Sequence, residues 1–150
     1  MARKAQQELV HAAIAQLQRL TDLFQQRRQE LARRVGLTEQ QWRVLEEIST
    51  EHFMPSMFAR QSESSPAAVS KILRQLLDKE LVRVSVSEDD GRQRQYGLSE
   101  AGERVMKELR AYRARAIERI WSNLPADQLG QFNELARELV ARIETYSDEE

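Results

Sequence analysis

Around residues 65–98 the side chains able to do chemistry are cationic and hydroxylic, in a pattern that suits binding better than bond-making. Ser65 and Pro66 open an amphipathic segment over residues 67–79. Val69, Ile72, Leu73 and Leu76 step along one flank by threes and fours, leaving Ala67, Ser70, Lys71 and Arg74 on the other. A β-branched run follows at 81–87, then Glu88-Asp89-Asp90-Gly91-Arg92, then a second extended run at 93–98. Asp-Gly is a favoured pair for a tight hairpin turn, so Arg92 stands at a ribbon tip and Arg94 just behind it. A helix with small and hydroxylic residues at its leading end can enter a DNA major groove, and an arginine-tipped ribbon can reach an adjacent minor groove. On that reading Ser70 and Lys71 meet base edges, Ala67 a thymine methyl and Arg74 a phosphate, while Asp90 and Gly91 shape the tip. Without the ribbon, the same cations would be an ordinary solvated helix face.

The remaining candidates for chemistry are few. There is no cysteine, which removes disulfides, thiolate metal sites and thiol redox switches. His11 and His52 are the only imidazoles, and neither sits in a ligand spacing, so no metal and no cofactor is expected. No glycine-rich phosphate loop or nucleophile–base pair is present, and the adjacent carboxylates Glu46-Glu47 and Asp89-Asp90 diverge on a helix or hairpin; the chain does not read as an enzyme. Trp42-Arg43 offers an aromatic face beside a guanidinium, a clamp for an aromatic carboxylate, although a tryptophan early in an amphipathic helix ordinarily packs in the core. No apolar run approaches the roughly 20 residues that span a bilayer, and the N-terminus lacks a secretory pattern. A cytoplasmic protein without membrane contact is expected. The net charge of −1 counts against DNA unless charge is segregated. Glu144, Asp148, Glu149 and Glu150 cluster at the C-terminal end, whereas Arg60, Lys71, Arg74, Arg83, Arg92 and Arg94 fall in or near the helix and hairpin. The balanced charge also leaves open a winged-helix adaptor that binds proteins instead.

Helices must position these residues. A first helix is expected over 5–35, with Ala13, Leu17, Leu20, Phe24 and Leu31 on one stripe and Gly36 as its cap. Thr38-Glu39-Gln40-Gln41 matches a capping box that starts a second helix, with Trp42, Leu45 and Ile48 inward and an end near Thr50. A loop at 52–55 leads to a short helix over 56–61 whose apolar residues are Met57 and Phe58. Ser65 then caps, and Pro66 begins, the helix described above. From Ser99 another helix steps through Val105, Leu109, Tyr112, Ala116, Ile120 and Leu124 to a break at Pro125, and a last helix carries Leu129, Phe132, Ala136, Leu139, Ile143 and Tyr146. The expected fold is mainly α with a small β-wing: a winged helix-turn-helix over 37–99, flanked by dimerisation helices over 1–36 and 100–150, in one domain. Long amphipathic helices need cover, and a homodimer would supply it while reading two half-sites of a pseudo-palindromic operator in double-stranded DNA.

On these residues the chain resembles the multiple antibiotic resistance regulator (MarR) family. Leu37-Thr38-Glu39-Gln40-Gln41-Trp42-Arg43-Val44-Leu45 is similar to the family's second helix, and Val69-Ser70-Lys71-Ile72-Leu73-Arg74-Gln75-Leu76 to its recognition helix. Asp90-Gly91-Arg92 and Leu98-Ser99-Glu100-Ala101-Gly102 resemble the wing signature and the element after it. The resemblance implies a two-fold dimer with interlocked terminal helices, usually repressing transcription. It also implies, as in many members, a small anionic or phenolic effector that enters between dimerisation and DNA-binding parts and releases the DNA. Two departures stand out. Glu80 replaces the glycine that commonly closes the recognition helix, so a different helix-to-strand corner is expected. Glu88, Asp89 and Asp90 make the wing more acidic, weakening its pull on phosphate.

Overall fold

The computed structural model describes residues 1–50, 53–86 and 94–149. In chain order the elements are α1 (Ala2–Arg34), α2 (Glu39–Ile48), α3 (Pro55–Gln61), α4 (Pro66–Asp78), β1 (Val82–Val86), β2 (Arg94–Leu98), α5 (Glu100–Ile120) and α6 (Ala126–Glu149). The fold is a winged helix-turn-helix, mainly α with a two-stranded antiparallel wing. Two compact units divide at Arg110: Met1–Arg110 and Ala111–Glu150.

In the first unit, three helix ends set the geometry. Helix α1 closes with Gly36 at φ +74°, its N–H donating to Arg33 O (3.1 Å) while Leu37 N–H donates to Ala32 O (2.9 Å). This paired closure uses the left-handed residue that glycine favours. Helix α3 ends the same way at Glu63 (φ 54°), with Ser64 N–H reaching Ala59 O at 2.8 Å. Helix α4 does so at Glu80 (φ 60°), where Glu80 N–H donates to Leu77 O (2.9 Å) and Leu81 N–H to Leu76 O (3.1 Å). The different corner expected at Glu80 is therefore not found. Two backbone hydrogen bonds and the burial of Leu76 and Leu81 hold a glutamate in a glycine's conformation.

Helix starts follow their caps. Thr38 Oγ1 accepts from Gln41 N–H (3.1 Å) and Gln41 Oε1 accepts from Thr38 N–H (3.2 Å), completing the capping box. Ser65 Oγ accepts from Ala68 N–H (3.1 Å), with Pro66 at the first helical position. Helix α3 begins one residue earlier than expected, at Pro55, for the same reason. Its buried residue is Ala59; Met57 is exposed and Phe58 half-buried against Phe53, ring centroids 5.8 Å apart. Trp42, Val44, Leu45 and Ile48 of α2 meet Val69, Leu73 and Leu76 of α4 in the core, where Leu31, Met106 and Leu109 are also buried; Ile72 is only half-buried. Strand β1 pairs with β2 from Val82↔Leu98 to Val86↔Arg94. Ser99 then caps α5: its Oγ accepts from Gly102 N–H (3.0 Å) and donates to Glu80 O (2.6 Å).

In the second unit, α5 ends at Ile120, before the expected break at Pro125. Ser122 N–H turns back to Ile117 O (3.2 Å) and Leu124 N–H to Trp121 O (3.0 Å), so the stop is a turn in the chain ahead of the proline. Helix α6 buries none of its described residues, and Ile143 is 63% exposed.

Candidate nucleic-acid interface

Helices α3 and α4, joined through residues 62–65, form the helix-turn-helix. Burying Val69, Leu73 and Leu76 inward turns the opposite flank of α4 to solvent. Ala67, Ser70, Lys71 and Arg74 are exposed on that flank, while Ser65 and Pro66, also exposed, stand at the leading end of the helix as its cap and first residue. Ala67 and Ala68, both exposed, keep the leading end slim enough to approach a groove floor closely. Arg60 of α3 is exposed as well.

In the wing, alternation along paired strands puts Arg94 on one face with Val86 and Tyr96, and Arg83 on the other with Gly97. Both arginines are exposed. The Arg83 side chain lies across Gly97, its Nε 3.2 Å from where a Cβ on that glycine would sit. Arg92, Asp90 and Gly91 lie outside the described residues.

Trp42 and Arg43 do not form a clamp. Trp42 is 5% exposed within the core, whereas Arg43, next in sequence on the helix, is exposed. The guanidinium on the Trp42 ring belongs to Arg28 of α1, 3.9 Å from the ring centroid, and Arg28 is itself held by Glu39 (3.3 Å) and Glu46 (3.0 Å). The Trp42 Nε1 donor is buried without an acceptor among the described residues. Sequence reading missed Arg28, because partners from different helices share no local spacing. It also missed a cleft of about 870 Å³ beside β2. Phe53, Ile48 and Met54 form an apolar side, Tyr96 stands edge-on to Phe53 at 6.0 Å, and Arg83 and Arg94 also line it. Among the described residues no cluster of three or more His, Cys, Asp or Glu is placed to hold a metal, and no helix is long and apolar enough to cross a membrane.

Comparison with known proteins finds the same fold elsewhere. The MarR family model matches residues 35–93. Among curated proteins no sequence match is found. Among solved structures, a MarR family transcription regulator superposes with a TM-score of 0.87 at 16% identity, covering 100% of both chains. MepR of S. aureus, solved as a DNA complex, superposes at 0.68 with 15% identity over 85% of this chain and 93% of its own. CouR from Rhodococcus jostii RHA1, bound to p-coumaroyl-CoA, superposes at 0.65 with 18% identity over 82% and 87%. Residues 35–93 thus match the MarR family model, and the fold of the chain is that of a solved MarR family transcription regulator.

Proposed function

We propose that the chain is a homodimeric, sequence-specific DNA-binding regulator, a repressor released from its operator by a small aromatic or anionic ligand. The observation that carries this is the exposed flank of α4, where Ala67, Ser70, Lys71 and Arg74 share one surface at the second position of a helix-turn-helix. The MepR–DNA complex lends support by fold. Two recognition helices related by a two-fold axis, about 34 Å apart, would read half-sites one helical turn apart. Lys71 and Arg74 supply cations at the helix, and Arg83 and Arg94 supply them at the wing.

Gel shifts at low salt against the intergenic DNA beside its own gene, followed by random-site selection, test this reading. Selected sites should contain two inverted half-sites centred about 10 base pairs apart. Absence of any shift at low salt would remove the DNA reading and leave the protein-binding adaptor in its place. Repression is tested with a reporter under the selected operator, which should fall silent when the chain is expressed.

For the ligand, two places fit an aromatic anion. One is Trp42, whose buried ring donor has no acceptor among the described residues and whose ring lies under the Arg28 guanidinium that Glu39 and Glu46 hold; the other is the cleft beside β2, lined by Arg83, Arg94 and Glu103 with an aromatic edge. CouR, of the same fold, is bound to an aromatic acyl thioester. Thermal shift and DNA release with salicylate-like acids test for an effector. Loss of the response in Trp42→Phe would place it at the first site, and loss in Phe53→Leu at the second.

A further inference from the structure

The rear end of α4 is tied to two other elements by polar contacts as well as by packing. Lys79, the residue that closes α4, donates through Nζ to Gly36 O at 2.6 Å and to Gln41 Oε1 at 2.9 Å. Gln41 Nε2 donates to Gln75 Oε1 at 2.9 Å. Gln41 is 4% exposed, the one polar side chain buried among the described residues. Gly36 belongs to the closing turn of α1, and Gln41 to the capping box of α2. One ammonium therefore joins the end of α1, the start of α2 and the end of α4.

Apolar contacts and hydrogen bonds constrain a helix differently. Val69, Leu73 and Leu76 decide which face of α4 turns inward, but aliphatic surfaces allow some tilt and sliding. Donor–acceptor pairs with fixed lengths and directions allow much less. The geometry makes tilt matter. A 13-residue helix is about 20 Å long, so a tilt of about 10° at Lys79 moves the Ser65 end by about 3 Å. That is roughly one base-pair step along DNA. In a two-fold dimer both leading ends would shift, and the distance between half-sites would change.

We infer that Lys79 and Gln41 are positioning residues for DNA reading: they pin the rear of α4 to the α1–α2 junction and so fix the half-site spacing that the dimer accepts. The inference rests on the reading of the chain as a dimeric DNA-binding regulator. Lys79 does not itself read DNA in this scheme; its ammonium is engaged by two oxygens of the protein.

The test uses the full chain and a set of operators in which the selected half-sites are kept and the spacer is varied by −1, +1 and +2 base pairs. The native chain should favour one spacer over its neighbours by about tenfold, the scale of a single mismatched base pair. Lys79→Met, which keeps the stem and removes the ammonium, should flatten that preference to about threefold or less. Base preferences within each half-site and the salt slope should stay as in the native chain. Lys79→Arg, restoring a donor, should recover the spacer preference. Gln75→Leu cuts only the outer link and should flatten the profile partly; it serves as the readout where Lys79→Met does not fold. A native spacer profile in both Lys79→Met and Gln75→Leu overturns the inference, even with reduced thermal stability. A salt slope reduced by about one unit with an unchanged spacer profile overturns it too, because that would make Lys79 a phosphate contact. If the native chain binds none of the operators, the DNA reading fails first and the positioning role with it.

Discussion

Glu80 holds a backbone conformation (φ 60°) that costs an L-residue roughly 1–2 kcal/mol relative to the right-handed region. Three hydrogen bonds hold it there: Glu80 N–H to Leu77 O, Leu81 N–H to Leu76 O and the Ser99 hydroxyl to Glu80 O. A glycine there would shed the strain but lose more chain entropy on folding. The balance favours glycine: Glu80→Gly should raise stability by about 0.5–1 kcal/mol, read as a higher urea midpoint with an unchanged slope. Gly102 is the opposite case. A Cβ there would stand 2.1 Å from Leu81 O, and that oxygen is already fixed by Ser99 N–H at 3.0 Å. Backbone on both sides must move, so Gly102→Ala should destabilise by about 3 kcal/mol, at the upper end for overpacking. The sequence pattern Leu-Ser-x-x-Gly pointed to Gly102, whereas nothing in the order of residues shows that Glu80 is forced left-handed. That force comes from carbonyls several positions away in the chain and from the helix that follows the wing.

Helix α4 is where sequence and structure agree most closely. Its N-cap serine, first-turn proline and three-and-four apolar spacing each act within a few residues, so Ser65, Val69 and Leu76 could be placed without coordinates. Trp42 and Arg43 illustrate the limit. Neighbours in sequence differ by about 100° around a helix, so burying Trp42 turned Arg43 outward and left Arg28 of α1 to cover the ring. The same limit hid the Lys79–Gln41–Gln75 link, whose members lie on two helices and at a helix end. Two substitutions on the exposed flank of α4 should separate positioning on phosphate from reading of bases. Ser70→Ala should alter preference at one position of each half-site with little change in salt slope. Arg74→Ala should weaken binding to all sequences about equally and reduce the salt slope by about one unit per half-site. Fluorescence anisotropy over a salt titration with a small panel of operators measures both; identical behaviour of the two variants would undo the division of roles.

At the scale of the whole molecule, charge and apolar surface point to the same assembly. A net charge of −1 gives no general attraction to a polyanion, so the proposed DNA binding would have to come from local groups: Arg60, Lys71, Arg74, Arg83 and Arg94 are exposed on the helix-turn-helix and wing, while acidic residues gather at the far end of the sequence. A few such contacts on one protomer give weak, sequence-poor binding; two copies held in register multiply both affinity and information. In the proposed dimer the terminal helices would carry the means. On α1, Leu9 is 71% exposed, and Val10, Ile14 and Leu17 are exposed beyond it; on α6, Phe132, Leu135, Leu139 and Ile143 are exposed. Rows of exposed apolar residues of this kind call for a covering partner where they form a contiguous patch, and in the proposed dimer a second copy supplies it. The purified chain should run in light scattering at twice its 17.5 kDa mass. Leu139→Glu combined with Ile143→Glu places two charges in the proposed interface and should yield monomers whose winged helix stays folded, because neither residue belongs to the buried core. Those monomers should bind a single half-site as the native chain does, yet lose affinity for the full operator by about a hundredfold or more, the avidity of the second copy. Full affinity retained in a monomer would mean that one winged helix suffices, and the exposed faces of α1 and α6 would need another partner.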